Sequence, residues 1–371
     1  MDNKTIRIAL IGCGNMGNYY AHNLSLMKDV AIIIACDPSR EKLEQFCAKW
    51  KIPSGTIDWR ELIPREGSSS KIDGIINCSI DKLHGEISNA CINSSLPLLA
   101  EKPFAVPFET LKNRTPLELK KWLFVINFSK RHIPAIAHVR EFLNQGGLGR
   151  IHRMELHYRQ GWVLNHDFGD WHETSAWFWR LSNDFSHHGV LGDLGSHLFD
   201  LACYFCGSVK TISCHLNRIK KNQDKFKGHL LNSIDDAHCL LEMQDGTAVV
   251  VNATRTSVGE KDSLSVLISG DKGSIRLMPE ESKDSYQLYL VEYGEWQTVA
   301  CSGTPPKNHE FFIKGIKSSD ISDYPGIYEA IYNDVVIEAA VESAQKGWRI
   351  DIDSFGEKKL GNIWHNLEQQ I

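Results

Sequence analysis

Gly12-Cys13-Gly14-Asn15-Met16-Gly17 stands directly after the apolar run Ile6 to Ile11 and opens a helical pattern. That order limits the fold more than any other feature of the chain. A bare G-x-G-x-x-G is weak evidence. One that follows a strand, begins a helix and is answered by an acidic residue after the next strand is the arrangement that binds dinucleotides. Here the answer is Asp37, at the end of Val30 to Cys36. Gly12 permits the tight turn, Gly14 lets the backbone approach a pyrophosphate, and Gly17 lets helix and sheet close on each other. The helix start at Asn15 and Met16 offers unbonded N–H groups and a positive dipole end to the phosphates. Asp37 is placed to accept from the adenosine ribose hydroxyls, and its charge repels a 2′-phosphate, which favours NAD. Arg40 keeps NADP open, because it is placed to pair with such a phosphate.

The first third continues the same rhythm. Ser39 to Trp50 reads as a helix with Ser39 as its N-cap, Ile72 to Cys78 as a strand, Leu83 to Asn93 as a helix and Leu96 to Ala100 as a strand. Nearly continuous apolar strands alternating with helices predict a doubly wound parallel sheet, buried on both faces. After Phe124-Val125-Ile126 the pattern changes. A helix over His132 to Asn144 is followed by alternating segments at Ile151 to Gln160, Ser208 to Leu216, Asp236 to Met243, Thr247 to Thr254 and Leu264 to Ile268. Gln244-Asp245-Gly246 and Gly270 to Gly273 supply hairpin turns, so a mainly antiparallel sheet is expected there. With 371 residues, two domains are expected, 1–127 and 128–371. A last helix, about 326–345, has the option of packing back on the first domain.

Composition excludes several function classes. A net charge of -5 leaves no broad basic field for nucleic acid or an anionic membrane, and Lys220, Lys221, Lys225 and Lys227 read as a solvated loop. Cysteines such as Cys36, Cys78 and Cys239 sit in apolar runs, which suits a reducing compartment. Cys203 and Cys206 spell C-x-x-C, but their neighbours Leu198, Phe199, Leu201 and Ala202 read as a buried helix, not a redox motif. The start of the chain has no signal-peptide pattern, and no uncharged run is long enough to span a bilayer. A cytoplasmic protein is expected.

Two further motifs move the argument from fold to chemistry. Glu101-Lys102-Pro103 ends a predicted parallel strand, where ligands bind in such sheets. Gly192-Asp193-Leu194-Gly195-Ser196-His197-Leu198-Phe199-Asp200 follows in the second half. With the N-terminal fingerprint, Asn127 to Ala135 and Gly146 to Ile151, these resemble the glucose–fructose oxidoreductase/inositol dehydrogenase/rhizopine catabolism family over nearly the whole chain. The resemblance implies a Rossmann domain and an α/β domain with a large open sheet that often makes oligomer contacts, hence a homodimer or homotetramer. It also implies NAD(P)-dependent oxidation or reduction of sugars, cyclitols and related polyols. Lys102, Asp193 and His197 match the family's catalytic lysine, aspartate and histidine.

The chemistry of those residue types fits. Oxidising an alcohol needs a base for the hydroxyl proton, and a histidine, with an ordinary pKa near 6.5, works in both directions. If the segment is helical, Asp193 and His197, four apart, face the same way. Asp193 then orients the substrate or the imidazole, and Lys102 stabilises the developing alkoxide. Asp200 reads as structural. Ser79, His84, Glu101 and Pro103 are further candidates for cofactor contact. Gly161 to Arg180 is crowded with Trp162, His166, Asp167, Trp171, His172, Trp177, Trp179 and Arg180, which reads either as a wall suited to a sugar's apolar face and hydroxyls or as an aromatic packing loop or oligomer contact. Asn127, Lys130 and Arg131 are candidates for contact with the substrate or an anionic substituent on it.

The sequence departs from the family pattern at His187-His188-Gly189, which replaces the usual glycine-rich lead, and at Pro107 to Lys121, with Pro116 inside an expected helix. Adjacent histidines are expected to diverge, and hydride transfer to nicotinamide needs no metal, so none is expected. Alternatives to a dehydrogenase are a redox-neutral NAD-dependent glycosidase and a non-catalytic dinucleotide-binding sensor.

Overall fold

The computed structural model describes residues 5–64, 70–165, 169–172, 175–221, 223–318 and 324–367. They form two compact units, one of Met1–Asn127 with Lys307–Ala330, the other of Phe128–Pro306 with Ile331–Ile371.

In the first unit six strands make one sheet: β1 (Ile6–Ile11), β2 (Val30–Cys36), β3 (Gly55–Thr56), β4 (Gly74–Asn77), β5 (Leu98–Ala100) and β6 (Phe124–Ile126). Every pairing is parallel and the order is β3-β2-β1-β4-β5-β6. This is the order of dinucleotide-binding folds, with its reversal beside β1, where the glycine fingerprint lies. Ile8, Ala9 and Leu10 are fully buried, as strands covered on both faces require. Ser39 accepts the Lys42 N–H and caps the helix Arg40–Trp50. Pro116 does not break a helix. It starts one: Phe108–Leu111 and Pro116–Lys121 are separate, and the second begins with proline in its first turn behind a Thr115–Glu118 capping box.

A helix the sequence reading did not anticipate, Asn308–Ser318, belongs to this unit. Its Phe312 and Ile313 join Ile8, Leu10 and Val125 in the core. Gly74 makes room for it, since a Cβ there would lie 2.8 Å from the Phe312 ring. The second unit is therefore not one unbroken stretch from 128 to 371. The helix expected at about 326–345 spans Ile327–Lys346, and only its first residues, to Ala330, are grouped with the first unit.

The second unit holds a two-stranded ribbon, β9 (Lys225–Phe226) with β10 (His229–Leu230), and a nine-stranded sheet. The latter comprises β7 (Ile151–Arg159), β8 (Val209–Asn217), β11 (Asp236–Met243), β12 (Ala248–Thr254), β13 (Ser263–Gly270), β14 (Gly273–Leu277), β15 (Ser285–Leu290), β16 (Trp296–Ala300) and β17 (Ile350–Asp351). Its order is β16-β15-β14-β13-β7-β12-β11-β8-β17, antiparallel throughout except where β7 meets β12. Alternation sets its faces: Met154, Leu156 and Tyr158 of β7 are buried with Val249, Val251 and Ala253 of β12 and Leu264, Val266 and Ile268 of β13. The helix Ser196–Cys206 lies on β7 and β12, and a π-helical turn, Leu191–Gly195, leads into it.

Candidate functional site

The candidate cofactor site of the first unit is built by glycines. Gly12 has φ +97°, and a Cβ on it would come within 2.4 Å of the Cys78 carbonyl oxygen. A Cβ on Gly17 would lie 2.2 Å from the Gly12 oxygen. Gly12 is fixed by the backbone at Cys78 and Ser79 that follows β4, and Gly17 by the close approach of the helix Asn15–Ser25 to the glycine turn. Gly14 differs: a Cβ there meets nothing within 4 Å. It stands at the N-cap of an eleven-residue helix with no acidic residue in its first turn and no side chain capping it. Open space over an uncapped helix start fits a pyrophosphate, which would take the N–H groups of that first turn. Gly14→Ala is therefore expected to leave the Tm unchanged and weaken NADH binding roughly 5- to 150-fold, the effect of about 1–3 kcal/mol from an intruding methyl group. Fluorescence titration with NADH beside a melting curve checks it; equal losses in Tm and affinity would assign Gly14 to the fold.

Asp37 sits where the fingerprint requires. Its two oxygens accept the N–H groups of Cys13 (3.0 Å) and Ser39 (2.9 Å), which locks the carboxylate beside the glycine turn. Each oxygen keeps a second lone pair for a ribose hydroxyl. Arg40 is exposed at the start of the next helix, as are Gly14 and Asn15, while Met16 is half-buried.

After β5, Glu101 accepts from the Tyr20 hydroxyl (2.9 Å) and from Asn127 Nδ2 (2.7 Å), and Asn127 Oδ1 accepts from Asn308 (2.9 Å). Burial pushes the Glu101 carboxyl up, against the lowering effect of Lys102 and of these hydrogen bonds. Asn127, expected to meet substrate, is 6% exposed and braces Glu101 instead. Lys102, half-buried, follows directly, and its peptide bond to Pro103 is cis. His84 corrects a second expectation. It is 1% exposed, with Nδ1 2.7 Å from the Pro103 carbonyl and Nε2 3.0 Å from the Ser79 carbonyl. It ties the loop after β4 to the loop after β5, rather than facing a cofactor. Ser79 in turn donates its N–H to Asn77 Oδ1 at 3.1 Å.

In the second unit Asp193 lies in the π-helical turn, so its spacing to His197 crosses non-α geometry instead of a regular helix face. Arg255, fully buried, donates to Asp193 Oδ2 at 2.9 Å and also to the carbonyls of Arg180 and Gly189. The Arg180 guanidinium reaches the same Oδ2 at 3.3 Å and lies over the rings of Trp177 and Trp179, 4.7 and 4.3 Å from their centroids. Asp193 is thus held by two cations. His197, in the first turn of Ser196–Cys206, is 7% exposed and 6.3 Å from the Tyr158 ring, centroid to centroid. The Lys130 ammonium stands 4.7 Å over that same ring. Burial, followed by Asp262, pushes the Tyr158 phenol well up.

Other expectations are corrected here. Arg131 makes a close pair with Asp200, at 2.6 to 3.1 Å, both little exposed, so it anchors its helix and is not presented to a substituent. Trp162 is 1% exposed, donates to Gln160 (3.0 Å) and packs with Val163, Trp171, Leu181 and Leu231. It is core, not a wall. His172 stacks on Trp171 at 3.6 Å. Trp177, Trp179 and Arg180 stay half-buried, and His166 and Asp167 lie outside the described residues. Tyr158 and Arg255 were not singled out from sequence. An arginine following the mostly apolar Val249 to Thr254 was the available signal.

The model of an oxidoreductase family with an NAD-binding Rossmann fold matches residues 6–125, and that of the GFO/IDH/MocA C-terminal domain matches residues 136–276. The chain belongs to the GFO/IDH/MocA oxidoreductase family. Its first unit is accordingly the NAD-binding Rossmann domain of that family. Among curated relatives, levoglucosan dehydrogenase of Pseudarthrobacter phenanthrenivorans is 23% identical, over 94% of this chain and 98% of its own. The scyllo-inositol 2-dehydrogenase (NAD(+)) of Bacillus subtilis is 25% identical, over 81% and 88% respectively. A solved levoglucosan dehydrogenase, in complex with NADH and levoglucosan, has the same fold, with TM-score 0.82 and 21% identity over 94% of this chain and all of the other. No described helix of this family member is long and apolar enough to cross a membrane.

Proposed function

We propose that this chain is an NAD-dependent dehydrogenase of a sugar, cyclitol or sugar derivative, acting at a secondary hydroxyl. The observation that carries the reading is the polar cluster of the second unit, His197 beside Tyr158 and Lys130 with Asp193 anchored by Arg255 and Arg180, on a chain whose first unit is an NAD-binding domain. NAD, which the glycine turn and Asp37 would hold, would supply the hydride acceptor or donor. His197 takes or gives the hydroxyl proton, and the Lys102 ammonium stabilises the oxygen as it gains charge. Asp193, fixed by two guanidiniums, orients rather than transfers. Trp177 and Trp179, flanking Arg180, offer apolar faces to a ring. Two relatives act, by name, on levoglucosan and scyllo-inositol, both rings of secondary alcohols. NAD is preferred to NADP because the Asp37 carboxylate, fixed beside the glycine turn, would accept from ribose hydroxyls and repel a 2′-phosphate.

The purified chain, given NAD or NADP and a panel of cyclitols, anhydrosugars, aldoses, uronic acids and nucleotide sugars, is expected to form NADH with one class and little NADPH with any. Silence across the panel with NAD binding intact would overturn the dehydrogenase reading. Release of a chromogenic aglycone under those conditions would establish redox-neutral glycoside cleavage.

A further inference from the structure

Adjacent histidines on an extended strand point apart, and divergence was the expectation for His187 and His188. In the structure they converge. His188 adopts a left-handed backbone (φ 54°), followed by Gly189 at φ 56°. This turn brings the two imidazole rings to a centroid separation of 4.0 Å. Both face one carboxylate: Glu338 Oε1, on the helix Ile327–Lys346, lies 2.7 Å from His188 Nε2 and 3.7 Å from His187 Nε2. A non-glycine residue at positive φ is strained, so the surrounding structure has to hold it there. A Cβ on Gly189 would meet Ser233 Oγ at 2.5 Å, which pins the turn from the other side.

We propose that His187, His188 and Glu338 form a site for a divalent first-row transition ion, with Zn2+ the best match. The donor set carries the choice. Two imidazoles and one carboxylate suit zinc and its neighbours, whereas magnesium and calcium take oxygen ligands. Three protein ligands also leave a fourth position for water or a small ligand. The three candidate ligand atoms lie within 4.8 Å of one another, against the separation of about 3.3 Å set by a tetrahedral ion with bonds of about 2.0 Å. Modest side-chain rotations close the difference. The side chains are 24 to 30% exposed, so an ion enters from solvent without opening the fold.

The carboxylate is ready as a ligand. Burial pushes Glu338 up, but the His188 hydrogen bond and the charges of His188, His187 and Lys359 outweigh it and hold the group below the usual carboxylate range. Metal ligands bind deprotonated, so binding of an ion here weakens in acid. Its structural effect would be local and specific. The His188 carbonyl accepts the Leu191 N–H and the Gly189 carbonyl accepts the Asp193 N–H. The ion would therefore clamp the turn that begins the Asp193 segment onto the long helix.

The full chain, stripped by chelator and returned to chelator-free buffer, is titrated with Co2+, whose visible absorption reports its coordination, and then with Zn2+ to displace it. One equivalent of Co2+ with a low-coordinate spectrum is expected, and Zn2+ should raise the Tm of the unaltered chain. Glu338→Gln and His188→Asn should each weaken Co2+ binding at least about 10-fold and abolish the Tm rise. Asparagine tolerates the left-handed backbone, which keeps the second variant folded. Absence of a Co2+ signal in the unaltered chain, or a signal unchanged in both variants, would overturn the site.

Discussion

His197→Ala and Lys102→Ala are each expected to lower kcat on the preferred sugar by about 10²- to 10⁴-fold, the range a positioned proton-transfer group contributes. NADH affinity should survive, because the glycine turn and Asp37 that we propose hold the dinucleotide are built from β1, β2 and the helix between them. Steady-state rates with NADH titration on the same preparations make the comparison. A variant that keeps more than about a tenth of the activity would remove its residue from the chemistry. The two changes should also differ in pH profile. Loss of a proton acceptor flattens the limb that reports it, whereas loss of a fixed positive charge lowers the whole curve. Tyr158, against His197 and under Lys130, offers a control: Tyr158→Phe removes only the hydroxyl and should cost far less if His197 carries the proton.

The first unit was legible in the sequence because its signals are local. Strands buried on both faces read as apolar runs, and Gly12, Gly17 and Asp37 have positions dictated by turn and backbone contact. Val30–Cys36 comes out residue for residue. The helix Asn308–Ser318 was missed because its role is non-local: Phe312 fills the space over Gly74, far away in sequence. β16 was missed because it is the edge of the sheet and exposed along most of its length. By contrast, β14 and β15 do alternate, with Ile275, Leu277, Tyr286 and Leu288 buried, but are too short or too polar between those positions to stand out.

The site residues divide on the same principle. Residue types name chemistry, but only packing decides who faces whom. Trp162 and Trp171 look like sugar-binding aromatics in sequence and prove to be core. Arg131 and Asn127 look available and prove to be committed to Asp200 and Glu101. Conversely, Arg255 looks like the end of a strand and proves to hold Asp193. His188 converges with His187 through a left-handed turn that no propensity announces.

Lys221→Met is expected to destabilise the chain by about 3–5 kcal/mol at neutral pH, the loss that follows when one partner of a buried ion pair is removed. Lys221 was read as part of a solvated basic loop. Its ammonium instead lies 2.7 Å from Asp235, and the two side chains are 2% and 0% exposed. Asp235 also accepts the Ile219 N–H at 3.0 Å. Burial pushes its carboxyl up, and Lys221 is the leading force that brings it back down. Without the lysine the folded chain favours a protonated Asp235 more strongly. A carboxyl whose folded pKa is raised contributes stability below its unfolded pKa and loses it as pH rises through the folded value. The deficit of Lys221→Met should therefore be greatest near neutrality and shrink toward pH about 4, the unfolded value for aspartate. Lys221→Met with Asp235→Asn should recover most of the loss, since the amide oxygen still accepts from Ile219 and no charge remains unpaired. Denaturant midpoints of the three chains across pH decide it, and a Lys221→Met variant as stable as the parent at every pH would show the pair to be dispensable. The consequence reaches the site. Arg255 donates its N–H to the Asp235 carbonyl and feels the Asp235 charge, while its guanidinium holds Asp193. Lys221, Asp235, Arg255 and Asp193 thus alternate in charge along one connected series, so the same variant should also slow turnover before it unfolds the chain.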